Sequence, residues 1–95
     1  MGFAETFQAL ADPVRREILE LLKDGKRTAG DIAGHFDMTA ATVSYHLSRL
    51  KKAGLLVEQR YKNFIYYDIN VSVFEEVLLW ITQLQEGAKR HEVVD

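Results

Sequence analysis

The stretch Thr39–Gly54, "TAATVSYHLSRLKKAG", decides how this chain folds and what it can offer a partner. Thr39 suits a helix N-cap, because its hydroxyl can accept from a backbone N–H that the first turn leaves unpaired. Gly54 stands where a helix commonly stops. At about 100° per residue, Val43, Leu47 and Leu50 share one side and form a stripe that must be buried. Ser44, Tyr45, Ser48 and Lys52 fall on the other side, flanked by Thr42 and Arg49, with Ala41 in the first turn. The outward surface is short, hydrogen-bonding and mildly cationic. It suits the DNA major groove, about 12 Å wide, where hydroxyls, an alanine methyl and arginine can all meet base edges or phosphate. A merely solvated helix face is the competing reading, although such faces favour Glu, Lys and Gln.

The neighbours extend the pattern in both directions. "RTAGDIAGHF" (27–36) opens with Thr28 three residues before Asp31, a loose capping box, and turns Ile32 and Phe36 inward. Its small residues Ala29, Gly30, Ala33 and Gly34 let another helix approach. The tight "FDMT" connection then leads into the quoted helix, which makes a helix-turn-helix over about 28–53. After Gly54 the period changes. "LLVEQRYKNFIYYDI" (55–69) is β-branched and aromatic with a polar break near Tyr61–Asn63, and reads as a two-stranded hairpin, a wing. Tyr66 and Tyr67 alternate across its second strand.

Upstream, "ADPVRREILELLKDG" (11–25) has Asp12 as N-cap and Pro13 at the first helical position, with Val14, Ile18, Leu21 and Leu22 as its buried stripe. Phe3, Phe7 and Leu10 mark a short amphipathic helix before it. At the other end Ser72 and Glu75 resemble a capping box, followed by an apolar run to about Leu84 and a polar, frayed tail after Gly87. The predicted fold is mainly α with a small β-hairpin wing, in the order α-α-α-α-β-β-α, as one domain over 1–95.

Composition narrows the function. A 95-residue chain with 47% hydrophobic residues folds around a thin core. It contains no cysteine, which removes disulfides, thiolate zinc sites and cysteine nucleophiles together. The first residues lack a secretory pattern, and Val77–Ile81 is too short to cross a bilayer, so a cytoplasmic protein without membrane insertion is expected. No nucleophile–base or carboxylate pair suggests an enzyme. The net charge of −2 hides a segregation: from Met38 to Lys62 the bases Arg49, Lys51, Lys52, Arg60 and Lys62 oppose Glu58 alone. The last segment is acid-rich. An anion-facing side and a solvated patch both fit this distribution.

The final helix is too apolar for one partner. Phe74, Val77, Leu78 and Ile81 form one stripe, and Val73, Trp80 and Leu84 add a second. Phe3 and Phe7 pose the same difficulty. A twofold homodimer built from the terminal segments, about 3–10 and 72–87, would cover them.

"ALADPVRREILELL", "TAGDIAGHF", "TAATVSYHLSRLKKAGLL" and "FIYYDIN" resemble successive blocks of the ArsR/SmtB family of bacterial winged-helix repressors, most of all its autorepressor branch. The resemblance implies a homodimer on double-stranded DNA with a palindromic operator. It implies a recognition helix in the major groove, with contacts from Thr39, Ala41, Thr42, Ser44, Tyr45 and Arg49, and a wing contacting through Arg60, Lys62 and Asn63. Lys52 joins this set from its outward position. Lys62 stands where the family often has glycine, so the wing turn is expected to differ. Arg15 and Arg16 match a family arginine pair, for which phosphate contact or salt bridges to Glu20 or the hairpin are the options. Many members sense metals, but the cysteine pair some carry is absent around Thr28–Asp31, and the last segment offers one histidine, His91, beside Glu92. No cofactor and no dedicated metal site are therefore expected. His46, beside the buried stripe, reads as a packed histidine. Two other readings stay open: a winged-helix protein-interaction module, and a metal-responsive repressor with an unorthodox site.

Overall fold

The structure is a computed structural model that describes residues 3–91. Five helices and three strands follow the chain: α1 (Ala4–Leu10), α2 (Pro13–Leu22), β1 (Arg27–Thr28), α3 (Ala29–Gly34), α4 (Ala40–Lys52), β2 (Leu56–Tyr61), β3 (Phe64–Ile69) and α5 (Val71–Arg90). The helix starts follow local chemistry. Asp12 accepts from Val14 N at 2.8 Å and Arg15 N at 3.3 Å, with Pro13 directly after it. Thr28 accepts from Asp31 N, and Thr39 from Thr42 N, at 3.1 and 3.2 Å. The stop of α4 is a Schellman motif. Gly54 N donates to Lys51 O and Leu55 N to Leu50 O, both at 3.0 Å. Gly54 holds φ +80° there, which a side chain would resist. Leu50 and Leu55, the pair joined by the second of those bonds, are both fully buried.

The core forms where the helical stripes meet the inner face of the sheet. Ile18, Leu22, Ile32, Val43, Leu50 and Leu55 are its most enclosed residues, with Leu19, Leu47, Leu56 and Ala9 around them. Within α2, Leu19 takes a buried place, while Val14 and Leu21 pack at the margin. Phe36 also packs at the margin.

Three features depart from the sequence reading. The sheet has a third strand: β1 pairs antiparallel with β3, Arg27 opposite Tyr67 and Thr28 opposite Tyr66, giving the order β1-β3-β2. A two-residue strand has no period to detect, and only β3 creates it. The start of α5 is Asn70, not a Ser72–Glu75 box. Asn70 makes no side-chain cap; its Nδ2 donates to Gly54 O at 2.9 Å and so ties the helix entry to the end of α4. The helix also continues through Gly87 to Arg90, where fraying was expected.

That long helix sets the molecule's shape. The extents are 60 × 25 × 23 Å and the Cα radius of gyration is 16.4 Å. A compact chain of this length would have about 12 Å. A helix of 20 residues is about 30 Å long, and much of α5 reaches past the body that should cover it. Among the described residues no helix is long and apolar enough to cross a membrane.

Candidate nucleic-acid interface

The burial of α4 divides it cleanly. Val43, His46, Leu47 and Leu50 are buried. Ala41, Thr42, Ser44, Tyr45 and Ser48 are exposed, Tyr45 by 56%, and Arg49 is half-buried. Thr39 is exposed as well, but its hydroxyl is occupied as N-cap and shares a 2.9 Å hydrogen bond with the hydroxyl of Thr42. The outward surface is thus a run of small hydroxyls with one aromatic ring, able to sit against a grooved polar partner without steric conflict.

The inner side of α4 is held by a polar contact that sequence reasoning missed. Arg15, 8% exposed, donates from Nε to Ala9 O at 2.9 Å and from Nη2 to Gln8 O at 3.2 Å. Its Nη1 lies 3.2 Å from Nδ1 of His46. A guanidinium can only donate, so in this contact Nδ1 serves as the acceptor. Arg16 donates to Leu10 O at 2.8 Å. Of the two options left open for these arginines, the salt bridge to Glu20 or the hairpin is not formed by either; Glu20 pairs with Lys23 instead. The two arginines satisfy the last carbonyls of α1, where the helix dipole favours a cation. His46 is packed at the helix seam, 8% exposed.

The cations sort themselves differently from a sequence count. Lys51 binds Glu58 across the α4–β2 junction. The hydrogen bond to Glu58 and its negative charge raise the lysine's pKa, and the same hydrogen bond lowers that of Glu58. Lys52 reaches Glu5 of α1 at 3.8 Å, a loose and exposed pair. Arg49, Arg60 and Lys62 make no ion pair among the described residues. The positive charge still available therefore lies at one edge of α4 and at the wing.

At the wing tip Tyr61 pairs with Phe64, leaving Lys62 and Asn63 as a two-residue turn, both exposed. Lys62 takes φ +55°, the left-handed conformation that glycine would adopt without cost. Its ammonium lies 5.3 Å from the centre of the Tyr61 ring. Tyr61 was not among the expected contacts, although its place directly before a two-residue turn was the available signal.

The residues expected at a dimer seam divide into two groups. Val77 is already buried in the single chain, and Phe74 packs against the core. Val77 thus has little surface left to offer a partner, while Phe74 keeps part of its ring accessible. Phe3, Phe7 and Trp80 form one aromatic cluster joining α1 to α5, with ring centres 5.7 to 5.9 Å apart. Leu78, Ile81 and Leu84 remain open, and Leu79, absent from the expected set, joins them. Among the described residues no three His, Asp or Glu side chains lie together as a metal ion would need. His91 is exposed at the end of α5, and Glu92 lies outside the described residues.

Residues 12–57 match the family model described as bacterial regulatory protein, arsR family. The chain is 45% identical over 75 residues to the transcriptional repressor SdpR of Bacillus subtilis, covering 79% of this chain and 83% of that one. A crystal structure of an ArsR family transcriptional regulator superposes with a TM-score of 0.85 at 30% identity, covering 90% of this chain and 94% of that one. The solution structure of a homodimeric winged helix-turn-helix DNA-binding domain from Mycobacterium bovis, a possible ArsR-family regulator, gives 0.69 at 33% identity, covering 95% and 81%.

Proposed function

This chain belongs to the arsR family of bacterial regulatory proteins, and from that premise we propose that it is a sequence-specific DNA-binding transcriptional repressor, acting as a homodimer in the cytoplasm without a dedicated metal sensor or catalytic role. The carrying observation is the division of α4: its apolar side is buried and its hydroxyl-and-tyrosine side is open. In this reading Ala41, Thr42, Ser44, Tyr45 and Arg49 face base edges and the nearest phosphates, with Thr39 setting the start of the helix. Arg60, Lys62 and Asn63 contact the backbone or minor groove from the wing. Lys52 contributes only by leaving its loose pair with Glu5.

The open face of α5 supports the dimer. Leu78, Leu79, Ile81 and Leu84 are more apolar surface than a monomer of this size leaves uncovered without reason. A twofold axis there would present two copies of α4 about one DNA turn apart, about 34–36 Å, and so select a palindromic operator. The absence of cysteine from the sequence supports a repressor that does not use a thiolate metal site.

Titration of the protein's own upstream DNA, with and without Tyr45→Ala, tests the reading. Tight binding to one palindrome, lost in the variant, is expected. Arg60→Ala should weaken all sequences alike and reduce the salt slope by about one. Equal, weak binding to every sequence would overturn the proposal, and a pull-down returning a protein partner would favour an interaction module instead. Calorimetric binding of zinc or nickel at low micromolar levels would restore a metal-responsive role.

A further inference from the structure

The register of the sheet gathers an unusual set of side chains on its outer face. Gln59 pairs with Tyr66, and Tyr61 with Phe64, so these four point to one side. Thr28 pairs with Tyr66 from the third strand, which places Lys26, two residues earlier, on the same side. The opposite side carries Leu56, Tyr67 and Ile69 toward the core. An open groove of about 550 Å³ runs across the outer face, lined by Lys26, Gln59, Tyr61 and Tyr66, with Arg60 at its border; Arg60 pairs with Ile65 and so carries its side chain on the opposite side, with Glu58 and Tyr67. That volume falls within the range of small-molecule sites, about 300–1,000 Å³.

The chemistry of the lining is selective. The Lys26 ammonium lies 5.2 Å from the centre of the Tyr66 ring and makes no ion pair among the described residues. No carboxylate lines the groove. Asp68 lies farther along the same face and accepts from the N–H of Ile69, while Glu58 is engaged by Lys51. Uncompensated positive charge selects an anion, and two tyrosine rings select a flat, polarisable body. Gln59 adds an amide able to orient a carboxylate.

We propose that this groove binds a small planar aromatic carboxylate, of one or two fused rings, and that its occupancy opposes DNA binding by the wing. The coupling follows from neighbouring side chains. A ring stacked on Tyr61 would meet Lys62, whose ammonium already lies over that tyrosine. The site stands on the groove alone, and only its regulatory consequence rests on the DNA-binding reading. By linkage, DNA must weaken the ligand by the same factor as the ligand weakens DNA.

Calorimetry of the full chain with naphthalene-2-carboxylate is the test, with naphthalene-2-carboxamide and acetate as controls. The aromatic carboxylate should bind at least about tenfold more tightly than either control, and Lys26→Gln and Tyr66→Leu should each weaken it by about tenfold. Lys26→Gln lies outside the proposed DNA contacts and should leave operator affinity unchanged. Saturating carboxylate should weaken operator binding. No binding, equal binding of the amide, or indifference to both variants would overturn the site. Carboxylate binding with operator affinity unmoved would overturn the competition. Carboxylate binding by a chain that recognises no operator would refute the repressor reading and leave the site standing.

Discussion

Substitution at Leu84 tests whether α5 forms the seam between two chains. Leu84 is 55% exposed in the single chain. Burying a leucine completely is worth about 1.5–3 kcal/mol, so covering the open half is worth roughly 1 kcal/mol. Twofold symmetry counts each change twice, so Leu84→Ala should weaken the dimer by about 2 kcal/mol, or about thirtyfold in dissociation constant. Leu84→Glu should do more, because it would place two carboxylates in an apolar seam. The fold of each protomer should hardly notice, since a solvent-facing substitution usually changes stability within about 0.5 kcal/mol. Sedimentation equilibrium reads the association, and operator titration reads its consequence, a loss of affinity that high protein concentration restores. An unchanged dissociation constant for Leu84→Glu would refute the reasoning. So would a destabilised protomer, which would mean that the residue serves the fold.

Three further outcomes follow from particular contacts. Arg15→Met removes the donors to Ala9 O and to Nδ1 of His46, and one of the two donors to Gln8 O, and should cost about 2–3 kcal/mol in urea unfolding; Arg16→Met, at an exposed site, should cost under about 1 kcal/mol, and equal losses would contradict the buried clamp. Lys62→Gly relieves the left-handed conformation at φ +55° and should raise stability by roughly 0.5–1 kcal/mol while weakening DNA binding; a lower melting temperature would count against it. Burial disfavours the ionised Asp12 carboxylate, but hydrogen bonds from the amides of Arg15 and Val14, with the charge of Arg15, outweigh it and lower its pKa. Its contribution is therefore present above the unfolded pKa of about 3.9 and lost as pH falls through the lower folded value. Asp12→Ala should cost about 1 kcal/mol near neutrality, and the gap from the unsubstituted protein should close in acid.

What the sequence made legible was what local chemistry controls. Asp12, Thr28 and Thr39 cap their helices because an N-cap needs only the next three residues. The stripe Val43, Leu47, Leu50 is inside because period alone places it. The hidden features depend on distant partners. Arg15 reads as a surface charge until the carbonyl end of α1 is folded against it. Lys52 reads as available until Glu5 arrives from the other end of the chain. Asn70 was invisible as a start because its amide serves Gly54. In α5, period showed too much apolar surface but not which part the protomer would claim, and Val77 and Phe74 went inward.

The placement of α1 joins the two halves of the proposed function. Its aromatic residues Phe3 and Phe7 pack on Trp80 of α5. Its Thr6 hydroxyl donates to Ala53 O at 3.1 Å, at the C-cap of α4. Its terminal carbonyls are held by Arg15, which also contacts His46 in the middle of α4. Two separate polar contacts therefore fix α4 against a short helix that is itself fixed against α5. An α4 attached only by apolar packing could slide or rotate, because such packing is not directional. Directional bonds to Ala53 and His46 remove that freedom. In the proposed dimer, the placement of each α4 relative to its own α5, one of the factors on which half-site spacing would depend, is thus set by contacts within the protomer.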